Sequence, residues 1–211
     1  MQTRFIPAAA ALIALAGAAQ AQDNVLKFGV TRYDTNSKTT GIQGIGIPPG
    51  ADATTGDATT VIFVYERMLT PNIGAELVLG IPPKITASAT GSAAFLGEVL
   101  SARNVAPTFL VNYYFGDPAN KWRPYLGAGI NYTRFTDIQT TLPNTTADMS
   151  DSVGLALQAG ISYAASKNWG LFASVARVDV ESDLVAVNST VLTTTIDFRP
   201  VTYSAGLWYR F

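Results

Sequence analysis

The side chains that this chain lacks restrict its chemistry more than those it has. Its 211 residues include no cysteine and no histidine, so thiolate nucleophiles, imidazole bases and the commonest metal ligands are all missing. Glu66 and Glu76 remain as candidates, because two carboxylates can act as an acid and a base. No third polar group and no cluster of sugar-binding aromatic residues accompanies them in the sequence. We therefore predict that the protein is not an enzyme, with no catalytic residue, no cofactor and no metal site.

The composition is unlike that of a water-soluble globular protein. Charged residues make up 14 % of the chain, against about a quarter in a typical globular protein. They are too few to cover a surface in contact with water. Outside the N-terminus no apolar run reaches the roughly 18 residues of a membrane-spanning helix. The 14 basic residues nearly balance the 15 acidic ones and are scattered singly. This distribution excludes a nucleic-acid partner.

The first 21 residues carry the features of an export signal. Arg4 is followed by an apolar stretch from Ile6 to Gly17 and then by the sequence Ala19-Gln20-Ala21, a small-x-small pattern that signal peptidase accepts. The apolar stretch is shorter than the roughly 20 residues that span a bilayer, which disfavours a membrane anchor. We expect residues 1–21 to be a cleaved signal peptide and residues 22–211 to form one domain.

After this segment the hydrophobic period is two, as in a strand that lies between two environments. It is clearest at residues 153–163, where Leu155 and Leu157 alternate with Ala156 and Gln158. The alternation recurs in segments 108–115, 126–133 and 201–211, and more weakly in segments 25–35, 60–69, 73–85 and 169–181. The sequence therefore predicts eight strands of the roughly 9–11 residues that a tilted membrane strand needs.

The connections between these segments alternate in length. Residues 70–72, 116–121 and 164–168 are short and consist of turn residues, whereas residues 36–59, 86–96, 137–150 and 182–192 are longer and polar. All short turns therefore lie at one end and all long loops at the other, as in bacterial outer-membrane barrels with short periplasmic turns. We predict an all-β fold: an eight-stranded antiparallel up-and-down transmembrane β-barrel in the outer membrane of a Gram-negative bacterium.

A soluble lipocalin-type barrel is the alternative, since it is also eight-stranded and up-and-down. Its outer face would have to be charged, yet the face opposite the apolar stripe carries Gly, Ser, Asn and Gln. Small polar residues of this kind suit a narrow lumen. Glycines 127, 129, 154, 160 and 206 share that inward face, where they either relieve crowding or keep a passage open.

Glu66 and Glu76 lie close to the turn between the second and third predicted strands. In a barrel they would point inward and pair with Lys27 or Arg210, because an unpaired charge in such an interior is expensive. We therefore predict that the two carboxylates form a structural plug.

The last eight residues form a pattern of their own, Ser204-Ala205-Gly206-Leu207-Trp208-Tyr209-Arg210-Phe211. The spacing of Ser204, Gly206, Tyr209 and Phe211 resembles the C-terminal signal by which the barrel-insertion machinery recognises outer-membrane barrels. Tyr209 and Phe211 also suit the aromatic girdle at a membrane interface, and the two roles are compatible. We predict the insertion machinery and outer-membrane lipid as partners.

Several motifs in the sequence resemble those of a known protein family. The block Arg123-Pro124-Tyr125-Leu126-Gly127-Ala128-Gly129-Ile130-Asn131-Tyr132, the stretches 72–77 and 106–117, and the C-terminal octapeptide resemble the OmpW family of outer-membrane proteins, including its AlkL-like members. The resemblance spans essentially the whole mature chain. It implies an eight-stranded barrel whose narrow, largely apolar channel admits small hydrophobic compounds and releases them sideways through the wall.

Residues 36–59 and 81–96, which comprise two of the predicted loops and the adjoining end of the third strand, are unexpectedly apolar. They contain large apolar side chains among small polar ones: Ile42, Ile45, Ile47, Ile81, Ile85, Phe95 and Leu96. These form an apolar entrance or simply pack the loops together. We predict passive passage of small hydrophobic solutes, with a structural or adhesive barrel whose extracellular loops bind a partner as the alternative. A continuous apolar tunnel to a wall opening favours the first function, and a charge-plugged interior with protruding strands favours the second.

Overall fold

The computed structural model describes residues 24–35, 37–44, 47–187 and 191–211. The expected signal peptide and Ile45 lie outside these ranges. Within them the chain is almost entirely strand, with one 3-10 turn at Ala94–Leu96, and no helix is long and apolar enough to span a membrane. The strands are β1 (Asn24–Asp34), β2 (Lys38–Thr39), β3 (Ala51–Thr55), β4 (Ala58–Met68), β5 (Ile73–Gly80), β6 (Lys84–Gly91), β7 (Glu98–Val105), β8 (Thr108–Tyr114), β9 (Trp122–Thr140), β10 (Thr146–Met149), β11 (Ser152–Ala164), β12 (Trp169–Val178), β13 (Glu181–Val187), β14 (Val191–Asp197) and β15 (Val201–Arg210).

Eight of these strands close into a barrel. Their order around it is β1, β4, β5, β8, β9, β11, β12 and β15, and β15 pairs again with β1 from Val25–Arg210 to Asp34–Val201. Neighbouring strands are antiparallel throughout. Closure gives each of these strands a partner on both sides, so the barrel has no unpaired edge strand facing lipid. The predicted eight-stranded up-and-down barrel is confirmed.

The two faces of the barrel wall differ as the alternation predicts. Phe28 and Leu157 point outward and are more than half exposed. Lys27, Asn131 and Gln158 point inward and are buried. An apolar outer face is unfavourable in water and stable in lipid. The lipocalin-type alternative, whose apolar face would point inward, is therefore wrong.

The long connections do not form the polar loops that we expected. β9 continues past the barrel rim to Thr140 and pairs with β7, followed by β6 and β3, while β10, β13, β14 and β2 form a second sheet. We call these two sheets the extension, because they continue the barrel beyond its long-loop end. Their alternation is too weak to recognise in the sequence: Ala87 and Ala89 are buried, but the intervening Ser88 is itself only partly exposed.

The third barrel strand is shorter than predicted. We expected it to span residues 73–85, but β5 ends at Gly80 and β6 begins at Lys84. Pro82 and Pro83 lie between them, and proline lacks the amide hydrogen that a strand interior needs. The chain therefore leaves the barrel wall here, and β6 pairs with β7 in the extension.

The extension has an apolar core that is continuous with apolar residues of the barrel strands. Leu100, Phe135, Met149, Ile196 and Phe198 are buried together in one cluster, and the rings of Phe135 and Phe198 stack with their centroids 5.3 Å apart. Burial of this kind contributes roughly 25 cal/mol for each Å² of apolar surface removed from water. The long-loop end of the molecule is therefore a packed structure that continues the barrel interior as an apolar region.

Candidate functional site in the barrel interior

An ion cluster crosses the interior of the barrel. Lys27 on β1 places its Nζ 2.9 Å from Glu66 Oε2 on β4 and 2.6 Å from Glu76 Oε2 on β5. All three side chains are almost fully buried. We call Lys27, Glu66 and Glu76 the ion plug. It forms the expected pairing of the two carboxylates with Lys27.

Three neutral side chains complete the hydrogen bonding of the ion plug. Asn112 Nδ2 donates to Glu66 at 3.0 Å, the Tyr114 hydroxyl donates to Glu66 at 2.7 Å, and Gln158 Nε2 donates to Glu76 at 3.0 Å. The plug and its partners come from β1, β4, β5, β8 and β11. Buried charges are costly unless they are paired and hydrogen-bonded. The arrangement therefore ties the wall together and provides both carboxylates with partners.

The neutral partners of the plug were not predicted. Asn112 and Gln158 stand at inward positions of the alternating pattern, so the sequence contained a signal for their burial. Which inward residues meet across the lumen depends on the register of every strand pair, and a single sequence does not reveal that register. Among the described ranges no group of three acidic side chains is placed to hold a metal ion.

A small cavity lies above the plug, towards the long-loop end. Its volume is about 70 Å³, and its lining combines apolar Ile62, Phe172 and Val178 with polar Thr31 and Asn131. Lys27 and Glu76 of the ion plug form its floor. We call this space the upper cavity. It is large enough for a slender chemical group but not for a bulky solute without side-chain movement.

The barrel wall beside the upper cavity is interrupted. The ladder between β5 and β8 ends at the pair Val78–Thr108. Among the described residues, the next backbone hydrogen bond between these two stretches runs from Asn104 N to Pro83 O. We call the stretch between these two points the wall gap.

Residues around the wall gap explain the interruption. Pro82, Pro83 and Pro107 have no amide hydrogen to donate across it. Gly80 and Ala106, on its two sides, both line the upper cavity. The side-chain oxygen Oδ1 of nearby Asn104 is buried without a hydrogen-bond partner in the described structure. The wall is therefore weakest where the upper cavity meets it.

A larger space lies below the plug, between it and the short turns. Its volume is about 460 Å³, and residues of the turns 116–121 and 164–168 form its rim. We call it the turn-side vestibule. Arg210 lines this space, with its guanidinium 5.6 Å from the ring centroid of Trp208. Both carboxylates form their salt bridges with Lys27 and not with Arg210, so the alternative pairing with Arg210 is wrong.

The apolar residues predicted for the loop entrance lie in different places. Ile42 and Ile47 pack against the buried cluster of Ala51, Ala89 and Ala93. Ile85 is buried, whereas Ile81, Leu96 and especially Phe95, which is 82 % exposed, face outward. Ile45 lies outside the described residues. The structure brings two of the seven together, and the entrance stays a prediction.

The residues predicted for the assembly signal lie on β15 and directly after it. Tyr209 and Phe211 are exposed on the outer face, with ring centroids 6.4 Å apart, as expected of an aromatic girdle. Ser204 and Gly206 alternate with outward residues. Gly206 pairs with Gly29 on β1, where a Cβ on either residue would collide with the neighbouring backbone. Recognition of this segment by the insertion machinery stays a prediction.

Known proteins share this architecture. A model of the OmpW family matches residues 20–211. Outer membrane protein W of Escherichia coli strain K12 is 33 % identical over 190 residues, which cover 86 % of each chain. The crystal structure of the outer membrane protein OprG from Pseudomonas aeruginosa matches with a TM-score of 0.82 and 25 % identity, covering 90 % of this chain and 96 % of that one.

A further relative carries a name that refers to a metabolic operon. The dibenzothiophene metabolism operon protein PahQ of Pseudomonas aeruginosa is 30 % identical over 161 residues, covering 74 % of this chain and 73 % of its own. The family match extends over nearly the whole sequence, and the barrel has the faces that a lipid environment requires. The chain therefore belongs to the OmpW family and is a β-barrel protein of the Gram-negative outer membrane.

Proposed function

We propose that the barrel passes small hydrophobic molecules from the cell exterior into the outer membrane, through the upper cavity and then sideways through the wall gap. The position of the wall gap carries this proposal. It lies beside the upper cavity, while the ion plug obstructs the axial route to the turn-side vestibule. A solute in the upper cavity would therefore leave through the wall more easily than along the barrel axis.

The direction of travel follows from hydrophobicity. A solute gains roughly 25 cal/mol for each Å² of apolar surface that leaves water, and the lipid beyond the wall gap offers the largest apolar environment. The upper cavity is small, at about 70 Å³, so side chains must move as the solute passes and its binding stays weak. Weak binding permits release. The name of the relative PahQ refers to dibenzothiophene, a sulfur-containing aromatic compound, and supports small aromatic molecules as one substrate class.

We propose that hydrophobic solutes from the cell exterior first bind to the extension. Ile42 and Ile47, packed on its alanine cluster, belong to the apolar entrance that the sequence predicts. We expect the double substitution of Ile42 and Ile47 by asparagine to slow hydrocarbon uptake while passage of small ions stays unchanged. Thermal unfolding of the purified variant serves as the control, and undiminished uptake in a stable variant would remove these residues from the route.

A structural or adhesive role is the second candidate, and two observations favour it. The ion plug fills the lumen with paired charges, and the extension protrudes from the barrel with Phe95 exposed in the turn at Ala94–Leu96. Exposed apolar side chains on a protruding surface are typical of protein contacts. Such a role would need the extension but would not need the wall gap.

Closing the wall gap tests the leading proposal. The chain has no cysteine, so Gly80→Cys and Ala106→Cys introduce a unique pair of thiols across the gap, which a bifunctional thiol reagent can join. A Cβ at Gly80 meets no atom closer than 3.6 Å, so the substitution fits. The control is Leu77→Cys with Phe109→Cys, a registered pair within the intact ladder.

The readout is uptake of a fluorescent polycyclic hydrocarbon by cells that carry the protein in their outer membrane. We expect cross-linking of the gap pair to reduce uptake to the level of cells without the protein, and reduction of a cleavable linker to restore it. Cross-linking of the ladder pair is expected to change nothing. Full uptake through a closed gap would refute sideways release and favour the structural or adhesive role.

A further inference from the structure

The turn-side vestibule has an excess of positive charge. Five cationic side chains line it, namely Lys27, Lys121, Arg123, Lys167 and Arg210, against the single carboxylate of Glu66. That carboxylate is already occupied by Lys27, Asn112 and Tyr114. The vestibule therefore presents several positive charges with little compensation from its own walls.

The cations other than Lys27 form no salt bridge in the described structure, and Asp117 on the turn 116–121 acts on Arg123 only at longer range. Across residues 24–35, 37–44, 47–187 and 191–211, no salt bridge within 4.0 Å involves Lys121, Arg123, Lys167 or Arg210. Arg123 is only 7 % exposed, and its Nε lacks a hydrogen-bond partner there, as does the buried Nε of Arg210. A buried guanidinium donor is unfavourable unless water or a ligand supplies an acceptor.

Aromatic rings hold both guanidinium groups in place. The guanidinium of Arg123 lies 5.1 Å from the ring centroid of Tyr114, and its Nη2 donates to Pro71 O at 2.9 Å. That of Arg210 lies 5.6 Å from the ring centroid of Trp208. Such stacking fixes the plane of the donors, and a planar fork of donors matches the oxygens of a phosphate or carboxylate.

We propose that the turn-side vestibule binds a phosphate-bearing anion, with Arg123 and Arg210 as its main ligands and Lys121 and Lys167 at the rim. The volume of about 460 Å³ admits inorganic phosphate, a small phosphate ester or a phospholipid headgroup. The site faces the periplasmic side, below the ion plug, so it is separate from the proposed hydrocarbon route and does not depend on it.

Tryptophan signals provide the test. The chain has three tryptophans. Trp208 lines the vestibule and donates its indole N–H to Leu171 O, while Trp122 and Trp169 are exposed on the outer face. The barrel is labelled with ¹⁵N, refolded into micelles of a nonionic, phosphate-free detergent and titrated with inorganic phosphate at constant ionic strength. We expect a saturable shift of the Trp208 indole signal alone. Equal shifts of all three signals, or no saturation, would overturn the site.

Two double variants and a charge-matched control locate the binding. Arg123→Gln with Arg210→Gln is expected to weaken phosphate binding by about tenfold or more, because charge-assisted hydrogen bonds are lost. Lys121→Gln with Lys167→Gln changes only exposed turn residues, so it keeps the test valid if the arginine variant fails to fold, and it is expected to weaken binding less. Lys38→Gln with Lys84→Gln removes two exposed charges at the other end and is expected to have no effect. Unchanged affinity in the folded vestibule variants would overturn the proposal.

The source of the phosphate group is decided by two further titrations. Glycerol 3-phosphate represents a soluble ester, and nanodiscs containing phosphatidylglycerol represent the membrane. If phosphatidylglycerol shifts the Trp208 signal and blocks phosphate binding, the occupant is a lipid headgroup. If only the soluble anions shift it, the occupant comes from the periplasm. A Trp208 signal that none of these anions shifts would refute the site altogether.

Discussion

Lys27 illustrates how single residues set the properties of this barrel. Its ammonium group lies within 3 Å of two buried carboxylates, in a space that excludes most water. Removing one partner from such a cluster destabilises a protein more than replacing the whole cluster with apolar residues. The remaining buried charges keep their desolvation cost and lose the attraction that compensated for it.

Lys27→Met is therefore expected to destabilise the barrel by about 3–5 kcal/mol. Urea unfolding in lipid vesicles measures the difference from wild type. The control is Arg32→Met, which breaks the exposed pair of Arg32 with Asp57 at 2.9 Å and is expected to cost at most about 1 kcal/mol. Additional Glu66→Gln and Glu76→Gln substitutions should recover much of the stability lost in Lys27→Met. Equal losses for the buried and the exposed pair would contradict the structural role of the ion plug.

Two neighbouring residues on one strand should differ in how much stability the barrel loses when each is replaced by arginine. Leu157 is exposed on the outer face and Gln158 is buried beside Glu76. Leu157→Arg should cost on the order of 2–4 kcal/mol if the position lies near the bilayer midplane, whereas Gln158→Arg gains a nearby carboxylate and should be tolerated better. Unfolding titrations in vesicles compare the two variants. The reverse order would mean that the faces are assigned wrongly.

At the scale of strands, a strand could be predicted from the sequence only where its two faces differ strongly in hydrophobicity. Barrel segments alternate large apolar residues with glycine or polar residues, so their period and orientation were readable. In the extension, β6 alternates alanine with threonine or serine, and its two faces differ little in size or hydrophobicity. β7 and β6 also depend on pairing with the long strand β9 and with each other. Pairing between distant segments leaves no local signal, so the packed extension was predicted only as loops.

For the ion plug, too, the sequence predicted only some of the contacts. Two carboxylates and one lysine stood out because charges are rare in the barrel segments, which made their pairing predictable. Tyr114 and Gln158 did not stand out, because each is ordinary within its own strand. Their roles arise only when β8 and β11 face β4 and β5 across the lumen. The wall gap was not predicted either, since the third strand was expected to continue through Pro82 and Pro83, and only the strand order places these prolines and Pro107 beside the upper cavity.

The last strand has a prediction of its own. Phe211 is exposed on the outer face at the end of the chain, a position where its loss should change folding energy little. Removal of Phe211 is expected to impair insertion in cells much more than refolding into detergent, because the residue ends the predicted assembly signal. Heat-modifiable gel mobility measures folded barrel in both settings. Equal defects in cells and in detergent would leave the assembly signal without support.

At the scale of the whole molecule, the interior is divided into levels with different chemistry. The apolar core of the extension lies above the upper cavity, and the ion plug lies between that cavity and the basic turn-side vestibule. A hydrocarbon suits the first two levels and an anion suits the last. The ion plug thus separates the apolar upper cavity from the basic turn-side vestibule. The wall gap lies on the apolar side of the plug.

Filling the upper cavity should therefore block hydrocarbon passage without disturbing the rest of the molecule. Ala176 lines that cavity, while Ala173 on the same strand is exposed on the outer face. Ala176→Phe adds a ring to a space of about 70 Å³ and should reduce uptake strongly, at a stability cost of about 1–3 kcal/mol from overpacking. Ala173→Phe adds the same ring towards lipid and should leave uptake unchanged. Uptake by cells and unfolding in vesicles are measured for both variants, and equal uptake by the two would move the hydrocarbon route out of the barrel interior.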